Sequence, residues 1–218
     1  MKYQMLVGLI GTILFAGNGP KFKDIHHHAS ESAIKSMCSQ GILHGRSASQ
    51  FAPDAPMTRG EFAAALQSMF KLPSPAHAEA FPDVPPSSTD YQAVQAVTPH
   101  LCREMLCFRC ALGKNFLPNE IVTRAEMTMI LSHILVSQKR LSLCSEAEAK
   151  ATLASVSDGE RIPRPARCYF ASAIKSGVVD LKPGSAMALP TPPTRGEIAL
   201  CMANLQKKLN MPVLKPAH

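Results

Sequence analysis

Three tetrapeptides, Thr58-Arg59-Gly60-Glu61, Thr123-Arg124-Ala125-Glu126 and Thr194-Arg195-Gly196-Glu197, carry the side chains best placed to do chemistry in this 218-residue sequence. Thr followed three residues later by Glu is a capping box, in which the hydroxyl accepts from the Glu backbone N–H and the carboxylate reaches back to the Thr N–H. Apolar residues at helical spacing follow each motif: Phe62, Leu66, Met69 and Phe70; Met127, Ile130, Leu131 and Ile134; Ile198, Met202, Leu205 and Leu209. Each motif therefore opens a helix. The arginine is surplus to that role, because the helix dipole mildly disfavours a cation in the first turn. Two partners suit a guanidinium there. One is an acidic side chain of the next repeat, for instance the Asp of an upstream Phe-x-Asp element. The other is a ligand carboxylate, gripped by two parallel hydrogen bonds beside a helix N-terminus that already favours anions.

Other residues of reactive type organise less well. Cys102, Cys107 and Cys110 have the C-x4-C-x2-C spacing of iron–sulfur ligands, with Cys144 as a fourth. That reading needs a cofactor assembled outside the cytoplasm and lacks the ferredoxin β context, so disulfides or buried thiols are expected instead. With Cys38, Cys168 and Cys201 the thiols number seven, an odd count that leaves at least one unpaired in a monomer. Connectivity is not legible. His26, His27 and His28 diverge on an extended lead-in and read as a solvated cluster rather than a metal site. No Gly-x-Ser-x-Gly, P-loop or His-Glu-x-x-His occurs, so no enzyme, metal or cofactor is expected.

The elements that position the motifs recur with them. Upstream of each lies Phe22-Lys23-Asp24-Ile25, Phe81-Pro82-Asp83-Val84, or a weaker Val156-Ser157-Asp158. A short amphipathic helix follows, with Ala33, Ile34 and Met37, then Tyr91, Val94, Val97 and Leu101, then Phe170, Ala173 and Ile174 as its apolar positions. Gly41 and Gly177 sit where left-handed C-caps would end the outer helices. The middle copy has Pro99 there and should be kinked or shortened. A loop then closes on Phe51-Ala52-Pro53 or Phe116-Leu117-Pro118, for which the third copy has Met187 and a late Pro190. The units are residues 20–72, 79–139 and 153–209, with a short helix at Glu146 to Leu153 between the last two and a basic tail over 210–218.

With 46% hydrophobic residues, 6% aromatics and no Trp, the chain has a core built of Ala, Leu, Ile and Met, which favours an all-α fold. Residues 1–19 place Lys2 ahead of an uncharged stretch from Met5 to Ala16, the layout of a secretory signal; the lack of a clean cleavage site leaves an uncleaved anchor open. The stretch is short of the roughly 20 residues a membrane span needs. A formal charge of +7 attracts anionic partners. Outside the cytoplasm these are acidic glycans, wall polymers or lipid headgroups rather than nucleic acid.

Taken together, the ordered elements resemble the S-layer homology domain, whose repeats run Phe-x-Asp-Val, a His-Trp-Ala-x-x-Ala-Ile helix, Gly-Ile-x-x-Gly, Phe-x-Pro and Ile-Thr-Arg-Ala-Glu. The first copy matches through Phe22, Asp24, Ile25, His28, Ala33, Ile34, Gly41, Ile42, Gly45, Phe51, Pro53, Thr58, Arg59 and Glu61. The second keeps Phe81, Asp83, Val84, Tyr91, Ala93, Val94, Phe116, Pro118 and its whole motif. The third keeps Asp158, Ala173, Ile174, Gly177, Thr194, Arg195 and Glu197.

The resemblance implies three helix-loop-helix repeats in a pseudo-threefold arrangement around a central helical bundle. It also implies exported, wall-anchoring function, with grooves that bind anionic, pyruvylated secondary cell-wall polysaccharide. Arg59, Arg124 and Arg195 would contact the pyruvate carboxylate, with Gly41 and Gly177 at the grooves. The family's groove Trp is Ala29 in the first copy and Thr89 in the second; Tyr169 alone keeps an aromatic for stacking. Leu181 replaces the glycine that corresponds to Gly45, and the second copy has neither glycine. These losses, and the added cysteines, leave a second reading open: a degenerate triplet serving as a structural or protein-interaction scaffold at the cell surface.

Overall fold

A computed structural model of the chain describes residues 21–75, 81–101, 115–181 and 184–214. The N-terminal apolar segment and Cys102, Cys107 and Cys110 lie outside the described residues. Within them the chain is all-helical, without named strands, and no helix is long and apolar enough to cross a membrane. The helices are α1 (Glu31–Ser39), α2 (Arg59–Phe70), α3 (Tyr91–Val97), α4 (Arg124–Ser137), α5 (Glu146–Leu153), α6 (Arg167–Ser176) and α7 (Arg195–Lys208).

Local chemistry accounts for the ends of these helices. α2, α4 and α7 each begin with a complete capping box on Thr58, Thr123 and Thr194. α5 has a fourth, from Ser145 and Glu148, a signal present in the sequence but outside the repeat pattern. Gly41 and Gly177 take φ of 68° and 67°, the left-handed conformation that ends α1 and α6. α3 stops at Val97, and Pro99 lies in the 3-10 turn that follows, Thr98–His100.

The Asp of each upstream element clamps the loop that precedes the motif helix. Asp24 accepts from the backbone N–H groups of Phe51 (3.0 Å) and Ala52 (2.7 Å), Asp83 from Phe116 (2.9 Å) and Leu117 (2.6 Å), and Asp158 from Met187 (2.7 Å) and Ala188 (3.0 Å). Ala52, Leu117 and Ala188 have φ of 60°, 60° and 51°, costly for residues with a Cβ. Charge-assisted hydrogen bonds to both flanking amides offset that cost. Burial pushes the Asp24 carboxyl up, but the amides of Phe51 and Ala52 outweigh it and hold the group below the usual carboxylate range.

The helices pair between repeats rather than within them. α2 packs on α3, α4 on α6 and α7 on α1, so each motif helix lies against the first helix of the following copy, and the last copy returns to the first. One core runs through α1, α2, α3, α4 and α7, including Ile34, Met37, Phe62, Leu66, Ile134, Ile198 and Met202. A second, around Met129, Leu153, Ile162, Phe170 and Met187, fastens α5 and α6 to α4.

Candidate functional site

The three motif arginines occupy the seams between these pairs. Each guanidinium holds the Glu of the next motif: Arg59 pairs with Glu126, Arg124 with Glu197 at 2.6 Å and Arg195 with Glu61 at 3.0 Å. The pairs close a ring. In all three, the Glu Oε2 accepts from its own Thr backbone N–H while Oε1 takes the incoming arginine. The partner is therefore a motif glutamate, not the Asp of the Phe-x-Asp element, and the glutamate does more than cap.

Backbone contacts follow the same ring. The N–H groups of Arg59 and Gly60 donate to Glu120 and Pro118 O, those of Arg124 and Ala125 to Thr191 and Leu189 O, and those of Arg195 and Gly196 to Ala55 and Pro53 O. With the third N–H bound to the Thr hydroxyl, the helix starts commit these donors internally. The third motif position is small for a related reason. A Cβ on Gly60 would lie 2.8 Å from Asp90 Oδ2, and one on Gly196 would lie 2.9 Å from His28 Cε1 and 3.2 Å from Pro53 O. The sequence carried that signal as Gly, Ala, Gly.

The sockets differ. Arg59 Nε donates to Phe116 O at 2.8 Å, with the guanidinium 5.1 Å from the Phe116 ring; Arg195 Nε donates to Phe51 O at 2.9 Å, 4.6 Å from the Phe51 ring. Both side chains are buried, at 6% and 3% exposure. Burial pulls Arg195 below its usual value, with Glu61 pulling it back. The third loop has Met187 in place of that Phe and offers no ring. Arg124 remains 29% exposed and its partner Glu197 46%.

The other residues singled out from sequence distribute around this ring. Arg195 also donates to His44 O, in the loop opened by Gly41. Arg124 acts on the Cys201 thiol, which burial pushes up to about 11 and which lies 3.6 Å from Val178 O, next to Gly177. Tyr169 stacks on His133 at 5.7 Å and 25°, and His133 meets His100 edge-on at 6.1 Å. His133 is nine residues along α4 from Arg124, about 13 Å along the axis. The structure thus joins Arg124 with the Gly177 loop and leaves Tyr169, on α6, beside the far part of α4. His28 accepts from the Ser30 N–H and faces Asp54 at 3.3 Å. No group of three His, Cys, Asp or Glu side chains among the described residues is arranged to hold a metal ion.

The sequence is similar to those of several known proteins. The chain is 27% identical over 193 residues to exoglucanase XynX of Acetivibrio thermocellus, covering 87% of the chain and 16% of that enzyme. It is 27% identical over 191 residues to an amylopullulanase of Thermoanaerobacterium thermosulfurigenes, covering 86% of the chain and 10% of that protein. An endo-1,4-beta-xylanase A of Thermoanaerobacterium saccharolyticum matches at 27% over 114 residues, half of the chain and 9% of the enzyme. The chain thus spans only a small part of the length of these relatives. A family model matches residues 21–63, which contain the first Asp clamp, Gly41 and the first Thr-Arg-x-Glu. That model is the S-layer homology domain, and residues 21–63 are what this chain shares with it.

Proposed function

We propose that this chain is a triplet of S-layer homology repeats, 20–72, 79–139 and 153–209 in pseudo-threefold arrangement, that holds an exported protein on the cell wall. Its ligand is anionic, pyruvylated secondary cell-wall polysaccharide. The exposed Arg124–Glu197 pair supports this reading best, since a ligand carboxylate reaching Arg124 replaces a partner that is itself half in solvent. Gly177 lets the adjoining loop approach that groove, as Gly41 does for the loop over Arg195, and Tyr169, farther along α4 beside His133, supplies the surviving aromatic for another sugar of the same polymer. Arg59 and Arg195 hold the seams on either side. A net charge of +7 draws the polymer in.

Cosedimentation with purified sacculi, with and without their polysaccharide, tests the proposal. Binding should require the polysaccharide and fall at least about tenfold in Arg124→Ala, the loss expected for a hydrogen-bonded charge pair. Equal sedimentation with both preparations sinks it. The second reading, a scaffold for protein contacts at the surface, draws on the saturation of Arg59 and Arg195 by protein groups. Saturable binding of a pyruvylated disaccharide contradicts it.

A further inference from the structure

Four cysteines lie among the described residues, and two of them converge. Cys144 immediately precedes Ser145, the N-cap of α5, and Cys168 is the second residue of α6. The Cys144 backbone N–H donates to Ser172 Oγ on α6 at 2.9 Å, and its Sγ lies 3.6 Å from Cys168 O. The first contact fixes the Cys144 backbone over α6, and the second brings its sulfur to the residue that carries the other thiol. Burial raises Cys168, and the neighbouring Cys144 thiol and Glu146 raise it further. All four cysteines are half-buried, and at Cys144 and Cys168 a reagent meets two thiols together. At Cys38 and Cys201 burial drives the thiols up to about 12 and 11, and the charges acting on them are Arg195 and Arg124. Such thiols are poor nucleophiles.

We propose that Cys144 and Cys168 are a redox-active pair that closes into a disulfide, locking the α5 segment onto α6. One thiolate attacks a small-molecule or protein disulfide and displaces a thiol. The second thiolate then attacks the mixed disulfide and displaces the other thiol. The donor is reduced by two electrons to two thiols, which take up the two protons the cysteines release. An extracytoplasmic location, where thiols meet such oxidants, suits the pair. The bond would tie the junction between the second and third repeats, adding to the core around Leu153 and Phe170 and to the Lys175–Glu148 ion pair.

Tryptic mapping of the full chain tests it, after reduction, reoxidation with oxidised glutathione and alkylation of the remaining thiols. Peptide 141–150 should be recovered joined to peptide 168–175. Oxidation should also raise Tm by roughly 5 °C or more, as expected for closing a loop of this size in a chain of this length. The rise should vanish in Cys168→Ser. Recovery of both peptides alkylated after oxidation overturns the proposal, as does a bond from Cys144 to Cys102, Cys107 or Cys110. A Tm rise that persists in Cys168→Ser overturns it too.

Discussion

At the residue scale, each motif glutamate divides its two oxygens between its own helix start and the arginine of the preceding motif. The first half was legible in sequence because Thr and Glu are three residues apart, within reach of local helix geometry. The second half was not: Arg59 and Glu126 are 67 residues apart, Arg124 and Glu197 73, and only the closed arrangement brings them together. The contrast between sockets was half visible, as a Met187 where the other loops have Phe, but its effect on exposure required the seam. That contrast predicts unequal costs. Arg59→Ala strands Glu126, 3% exposed, as an unpaired buried carboxylate and should cost about 3–5 kcal/mol. Arg124→Ala, at an exposed pair, should cost no more than about 1 kcal/mol. Urea midpoints for the two variants decide between this and a uniform ring, in which the losses would be equal.

At the element scale, the strongest local signals placed the helices: the capping boxes, Gly41, Gly177 and Pro99 all act within one turn of the ends they determine. The Asp clamps were visible as a recurring Phe-x-Asp but silent about their purpose, because the loop amides they hold lie about 30 residues on. α5 was expected as a short helix between the second and third units, yet its docking was not legible. It packs on α6, where Lys175 Nζ meets Glu148 Oε1 at 2.5 Å. The Lys175 contact, aided by the Ser145 amide and hydroxyl, lowers Glu148 from 4.5 to about 2. A carboxylate depressed in the folded state contributes stability above its unfolded value and loses it as pH falls through the folded one. The support Glu148 gives α5 should therefore be whole above pH 4.5 and fade toward about 2. NMR titration of the Glu148 carboxyl should give that low midpoint, and Lys175→Met should move it back up; an unchanged midpoint in the variant would mean that the ion pair does not act.

At the scale of the whole molecule, the pairing of every motif helix with the next copy's first helix means that no repeat owns a complete core. α2 without α3 exposes Phe62, Leu66 and Phe70, and α1 without α7 exposes Ile34 and Met37. The amides of Arg195 and Gly196 reach Ala55 and Pro53 O, so the third copy completes the first as directly as the second does. A linear array would leave its end repeats capped by polar faces and its interior divisible. A closed ring has no such ends, and removing one member opens two seams at once. A fragment ending at residue 139 retains the α2–α3 seam but loses both the α4–α6 and α7–α1 seams, along with the ion pairs Arg124–Glu197 and Arg195–Glu61. It should therefore lack a cooperative thermal transition, whereas residues 21–214 should unfold in a single one, with calorimetric and van't Hoff enthalpies equal. Two separable transitions in the longer chain, or a sharp one in the fragment, would show that the repeats fold independently and that the ring adds only contact.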